Sequence, residues 1–107
     1  MIGTPPPFGV SVERLDTHAT VRVTGEVDME SSPTLRSRIV DLAQAGVRQI
    51  TLDLADTAFI DSTGLHALVV AITELRVNGG DLVVRAPSKS ASRLLQITGF
   101  DTLVQVV

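Results

Sequence analysis

Hydrophobic and polar positions alternate along the first quarter of the chain. Phe8 to Leu15 and Ala19 to Thr24 each switch between apolar and polar residues, the period of a strand with one buried face. Asp16-Thr17-His18 separates them and predicts a hairpin turn, and Gly25-Glu26-Val27-Asp28 leaves the second strand. The period then lengthens. Ser31-Ser32-Pro33 reads as a helix start, a Ser cap followed by Pro at the first helical position. Leu35, Ile39, Leu42 and Ala43 follow on one stripe, and Gly46 stops the helix. Val47 to Leu54 returns to alternation and β-branched residues, a third strand. Leu65, Leu68, Val69, Ile72 and Leu75 recur at helical spacing up to Val77, and Asn78-Gly79-Gly80 ends that helix. Leu82 to Arg85 is a short strand closed by Pro87. Ser88 or Ser90 caps a third helix carrying Ala91, Leu94, Leu95 and Thr98, Gly99 ends it, and Thr102 to Val107 is strand-like.

The predicted order is β-β-α-β-α-β-α-β. An opening hairpin followed by alternating helices and strands specifies an α/β domain. Its sheet is mixed, with right-handed crossovers between the parallel strands. Met1 to Pro7 holds three consecutive prolines, which cannot donate ladder hydrogen bonds, and reads as a flexible tail before one domain over residues 8–107.

Composition narrows the function. The only aromatics are three phenylalanines, so the core must be aliphatic and few rings are available to stack on single-stranded nucleic acid. A net charge of −3 disfavours a phosphate-backbone partner. With no cysteine, disulfides, thiolate metal sites and Cys nucleophiles are excluded. His18 and His66 are far apart, which argues against a histidine metal site. No apolar run approaches a membrane span and no signal-peptide pattern is present, so the expected location is cytoplasmic, without membrane insertion.

The candidate chemistry lies in Phe59-Ile60-Asp61-Ser62-Thr63-Gly64-Leu65, between the third strand and the second helix. A hydroxyl there can accept from the unpaired N–H groups of the first turn, and a phosphate placed there would be stabilised by the same groups. Gly64 lacks a side chain, so a phosphate or a partner surface is expected to approach the backbone closely. His66 follows Ser62 by one helical turn, but no nucleophile elbow or orienting acid accompanies the pair, which argues against a hydrolase.

Together, Gly25-Glu26-Val27-Asp28 and the Asp61-Ser62-Thr63-Gly64-Leu65 turn resemble the STAS domain family, and more closely its bacterial anti-sigma-factor antagonists, over about Phe8 to Val107. The resemblance implies a non-enzymatic switch with no cofactor of its own. The unphosphorylated antagonist binds an anti-sigma factor that is also a serine kinase, which frees a sigma factor for transcription. The kinase, which holds the ATP, phosphorylates the antagonist and the pair separates; a phosphatase resets it. By position, Ser62 is the implied phosphoacceptor and Asp61 its neighbour; Thr63 is a nearby hydroxyl that could serve as a secondary acceptor but reads better as an ordinary first-turn residue. Asp28 matches the aspartate of the loop near that serine. Gly64 and Leu65 match the start of the partner-facing helix, on which His66 is expected to be exposed. The alternative implied within the family is a STAS subunit of a lipid-transport ABC transporter, without a phosphorylation cycle.

Overall fold

A two-residue turn closes the opening hairpin. In this computed structural model, which describes residues 7–85 and 87–107, strand β1 (Gly9–Leu15) pairs antiparallel with β2 (His18–Val27). His18 is therefore in the strand rather than the turn. Asp16 takes a φ of 58°, the left-handed conformation that a two-residue hairpin turn requires and that aspartate tolerates. Apart from Pro7, the expected Pro-rich tail lies outside the described residues.

The rest of the chain runs α1 (Ser32–Gln44), β3 (Gln49–Ile60), α2 (Ser62–Val77), β4 (Asp81–Arg85), α3 (Lys89–Thr98), a 3-10 turn (Phe100–Thr102) and β5 (Gln105–Val106). The sheet order is β1-β2-β3-β4-β5, and every pair after the hairpin is parallel. The mixed α/β sheet predicted from the pattern is thus present in full.

One face of the sheet is apolar. Val12, Val21, Leu52 and Val84 lie in one row across four strands, and Ala19, Ile50 and Leu82 in another. All but Val12 are buried. Against this face α1 contributes Leu35, Ile39 and Ala43, the stripe read from the sequence. Helix α2 buries a broader stripe than predicted. Leu68, Ile72 and Leu75 are joined by Ala67 and Ala71, while Leu65 and Val69 are only partly buried. Helix α2 packs on α1 as well as on the sheet, so its small residues also face a neighbour.

The opposite face is polar. Arg22 reaches Glu13 at 2.8 Å and Asp53 at 3.6 Å, and Arg85 reaches Asp53 at 3.6 Å. The Arg22–Glu13 pair is exposed and contributes little stability by itself, and the charged row keeps this side of the sheet compatible with water.

Two boundaries differ from the sequence pattern in ways that matter. Strand β3 starts two residues later than expected and continues to Ile60, well past Leu54. Two register shifts against β2, between Arg22 and Thr24 and between Gly25 and Glu26, give β3 one extra residue each. Each bulge breaks the strict alternation by which a strand is recognised. At the other end, the strand expected from Thr102 to Val107 shrinks to Gln105–Val106. Phe100 is buried and the chain winds a 3-10 turn around it, with Thr102 N–H donating to the Gly99 carbonyl at 3.0 Å.

Leu52 is fully buried at the middle of the sheet. Leu52→Ala should cost about 2–5 kcal/mol of unfolding free energy, because the rigid sheet cannot collapse into the space left. Urea denaturation followed by circular dichroism checks this, with a lowered midpoint as the expected result.

Candidate functional site

The site forms where β2 and β3 end side by side. Val27 and Ile60 are register partners, and the Asp61 N–H donates to the Val27 carbonyl at 3.0 Å. The chain segments after the two strands, Asp28 onward and Asp61 onward, therefore emerge together at one end of the sheet. Both lead into helices, α1 and α2, which begin at that same end because β2 and β3 are parallel.

Asp61 is the N-cap of α2. Its backbone is extended, and its Oδ1 accepts from the Gly64 N–H at 2.8 Å. This corrects the expectation that the Ser62 hydroxyl caps the helix. The carboxylate one residue earlier takes that role, and Ser62 is the first helical residue, exposed to solvent. Among the described residues, the N–H groups of Ser62 and Thr63 have no protein acceptor, as expected for the first turn of a helix. Thr63 and His66 are also exposed, and Leu65 packs partly into the core.

Gly64 departs from expectation. It is buried, and a Cβ placed on it would lie 2.6 Å from the Val27 carbonyl oxygen and 2.8 Å from Val27 Cγ1. The missing side chain lets α2 seat on the end of β2. It does not open the backbone to a partner, so the expectation of close approach over Gly64 is corrected.

Asp28 sits in a dense local network. Its Oδ1 accepts from the N–H groups of Glu30 at 2.9 Å and Ser31 at 3.0 Å, and lies 3.1 Å from the Ser31 hydroxyl. Ser31 Oγ in turn accepts from the Asp28 N–H and donates to the Glu26 carbonyl, both at 2.8 Å. The predicted serine cap on α1 is thus absent: Ser31 is the N-cap residue, but its hydroxyl ties the end of β2 to the loop instead. Nothing in the local sequence pattern marks Ser31 for this task, because a serine before a proline reads first as a cap. The backbone and hydroxyl hydrogen bonds from Ser31 hold the Asp28 carboxyl below its ordinary pKa.

Beside these residues, Met29, Pro33, Arg36, Thr63 and His66 line a shallow groove of roughly 230 Å³ between the starts of α1 and α2. Met29 and Arg36 were not singled out by the sequence pattern. A lone methionine in a loop and a charged residue on the outer face of a helix carry no signal until the two helices are placed side by side.

A single mixed sheet with two helices starting at one end, and a capped Asp-Ser turn set against the exit of the second strand, define the class: the chain belongs to the STAS domain family, which matches residues 10–107. Among curated relatives, it is 32% identical over 99 residues to the anti-sigma-B factor antagonist of Bacillus subtilis (strain 168), covering 92% of this chain and 90% of that one. It is 33% identical over 91 residues to the anti-sigma-B factor antagonist of Staphylococcus aureus (strain NCTC 8325 / PS 47), covering 85% and 84%. Among solved structures, an anti-sigma factor antagonist from Mycobacterium paratuberculosis superposes with a TM-score of 0.83 at 27% identity, covering 98% of this chain and 89% of that one. The unphosphorylated form of the anti-sigma factor antagonist SpoIIAA has the same fold, with a TM-score of 0.80 at 20% identity over 92% and 88%.

Two outcomes follow from the geometry. Gly64→Ala should destabilise the protein by about 1–3 kcal/mol, since the new methyl group forces α2 away from Val27; the urea midpoint reads this directly. Asp28 supplies a pH signature. Its folded pKa is depressed, so its stabilisation is fully present above the unfolded value and is lost as pH falls through the folded one. Asp28→Ala should therefore unfold at lower urea than the wild type near pH 6, and the gap should narrow on acidification towards about pH 2.

Proposed function

We propose that this protein is an anti-sigma-factor antagonist that binds an anti-sigma factor while unphosphorylated and releases it once Ser62 is phosphorylated. The observation that carries the reading is the placement of Ser62: exposed, on the first residue of α2, with an aspartate rather than the serine itself acting as the helix cap. Its hydroxyl has no structural task that phosphorylation would break. The antagonists among the relatives cited above support the same role.

The chemistry resides in the partner. In the transfer, Ser62 Oγ attacks the γ-phosphorus of ATP held by the kinase, the bond to the β-phosphate oxygen breaks, and ADP leaves. The hydroxyl proton passes to a base on the kinase. This chain provides a positioned nucleophile and needs no cofactor. Phosphoserine adds about −1.5 to −2 charges near neutral pH. The free N–H groups of the first turn and the α2 dipole accommodate that charge within the antagonist. A partner surface matched to the unmodified turn meets it as repulsion, so the complex weakens while the domain stays folded. Asp28, Asp61, Thr63 and His66 lie around the modified position and form the partner-facing surface, with Leu65 fixing the helix from below. Gly64 serves that surface by holding α2 in place. A phosphatase acting on phospho-Ser62 restores the binding form, and the whole cycle belongs to the cytoplasm. Among the described residues no helix is long and apolar enough to cross a membrane.

Incubation with ATP and lysate of the native host, followed by peptide mass spectrometry, tests the reading. Phosphate should appear on Ser62 and be absent from Ser62→Ala, whose unfolding free energy from urea denaturation should stay within about 0.5 kcal/mol of the wild type because an exposed non-cap residue is replaced. An unmodified Ser62, under conditions where a control antagonist is phosphorylated, would overturn the cycle. Recovery of an ABC-transporter ATPase with the chain would then identify the transporter-subunit role instead.

A further inference from the structure

The two edges of the sheet are built differently. β5, Gln105–Val106, is blunted by its length, since two residues offer little for another strand to pair with. β1 presents the seven residues Gly9–Leu15, with no proline, no lysine and an unbroken register against β2. The two-residue turn makes Leu15 and His18 a hydrogen-bonded pair, so the backbone groups of Leu15, Glu13, Ser11 and Gly9 point towards β2. Those of Val10, Val12 and Arg14 point outward, and among the described residues no strand pairs with them. Charged side chains commonly guard such an edge, but the two on β1 are engaged within their own chain. Glu13 Oε1 accepts from Arg22 at 2.8 Å, and the Arg14 guanidinium donates to the Asp16 and Ala45 carbonyls at 2.9 and 3.1 Å. The apolar row of Val12, Val21, Leu52 and Val84 also stops at this edge, where Val10 and Val12 pack on the core yet stay only partly buried.

We propose that β1 pairs antiparallel with β1 of a second copy of this chain, about a two-fold axis at Val12, joining two five-stranded sheets into one. A second copy is the occupant because the strand is complementary to itself in this register. Val12 meets its own counterpart and Val10 meets Arg14 of the other copy, so every outward-pointing backbone group finds another. The side chains agree with the same register. The two Val12 side chains continue the apolar row across the axis, and Val10 lies against the aliphatic stem of Arg14. Ser11 faces Glu13, which its hydroxyl can reach as a donor. Leu15, 82% exposed in the single chain, lies opposite Gly9, which has no side chain to obstruct it. No charged residue faces its own copy, a juxtaposition that would oppose pairing. The shared edge ends at Gly9, opposite Thr24 of β2 and short of the β2 exit at Val27, so both Ser62 turns lie outside it. One pair of strands is a small interface, and the association is correspondingly weak, with a Kd on the order of 10–100 µM.

Sedimentation equilibrium of the purified chain, over concentrations that bracket this Kd, tests the proposal. The wild type should pass from monomer to dimer. Val12→Pro removes an outward N–H and sets its ring towards the second copy without removing a β1–β2 hydrogen bond, so it should raise the Kd by about tenfold or more. Val12→Lys places two like charges opposite each other at the axis and should have a similar effect that eases at high salt. Leu103→Lys, at an exposed apolar residue beyond the other edge, should leave the Kd within about twofold of the wild type. Thermal melts establish that each variant is folded. Hydrogen exchange on the wild type supplies a reading that needs no variant: the amides of Val10, Val12 and Arg14 should gain protection as concentration rises, while those of Ser11 and Glu13, already bonded to β2, should not. A wild type that stays monomeric at the highest concentration overturns the proposal. So does a dimer that Val12→Lys and Leu103→Lys weaken equally, or one whose Val10, Val12 and Arg14 amides exchange at the same rate at every concentration. None of these results bears on the Ser62 reading, which is tested separately by phosphorylation.

Discussion

The carbonyl of Val27 is the point on which the functional end of this molecule depends. It accepts the Asp61 N–H and lies against the one face of Gly64 where a side chain would otherwise project. The exit of β2, the end of β3 and the first turn of α2 are thereby fixed to one another within a single hydrogen bond and one van der Waals contact. Asp61 then caps the helix through Gly64, so the glycine takes part in both contacts: its missing Cβ permits the seating and its N–H receives the cap. Everything proposed for the site, from the exposure of Ser62 to the orientation of His66, follows from how firmly this junction holds.

The second support is the loop network around Asp28. Ser31 is almost fully buried, and its hydroxyl bridges the Glu26 carbonyl and the Asp28 backbone. A buried hydroxyl satisfied on both sides rigidifies what would otherwise be a free connection between strand and helix. The consequence for function is that Met29 is presented outward from a fixed loop, beside the start of α2. A surface presented in this way loses little conformational freedom on binding.

The packed core and the proposed switch surface are physically separated in this fold. The aliphatic core lies between the helices and one face of the sheet, and the residues proposed to change charge lie at the end of the sheet, on the solvent side of α2. A phosphate on Ser62, as proposed, would meet unpaired N–H groups without displacing a cap. A modification can therefore alter the electrostatic surface while the packed layer beneath stays as it is, which is what a reversible binding switch requires.

The sequence determined the class of fold by itself. Alternation in the hairpin, the 3.6-residue stripes of α1 and α2, and glycines at the helix ends are local signals, and each element they mark is present. The Asp61-Ser62-Thr63-Gly64-Leu65 turn was legible for the same reason: it is a contiguous run at a strand-to-helix boundary. Tertiary structure decided the rest. The last six residues of β3 carry two bulges that erase its alternation, so only pairing with β2 reveals them as strand. The division of labour between Asp61 and Ser62 depends on which side chain reaches Gly64 N–H, and adjacent polar residues look equivalent in a sequence. Gly64 has its reason in Val27, far away along the chain, and Ser31 bonds to a carbonyl five residues back instead of capping its own helix. Met29 and Arg36 share a groove with His66 only because parallel strands start their helices at one end. Such roles are set by contacts between segments distant in sequence, and local periodicity carries no record of them.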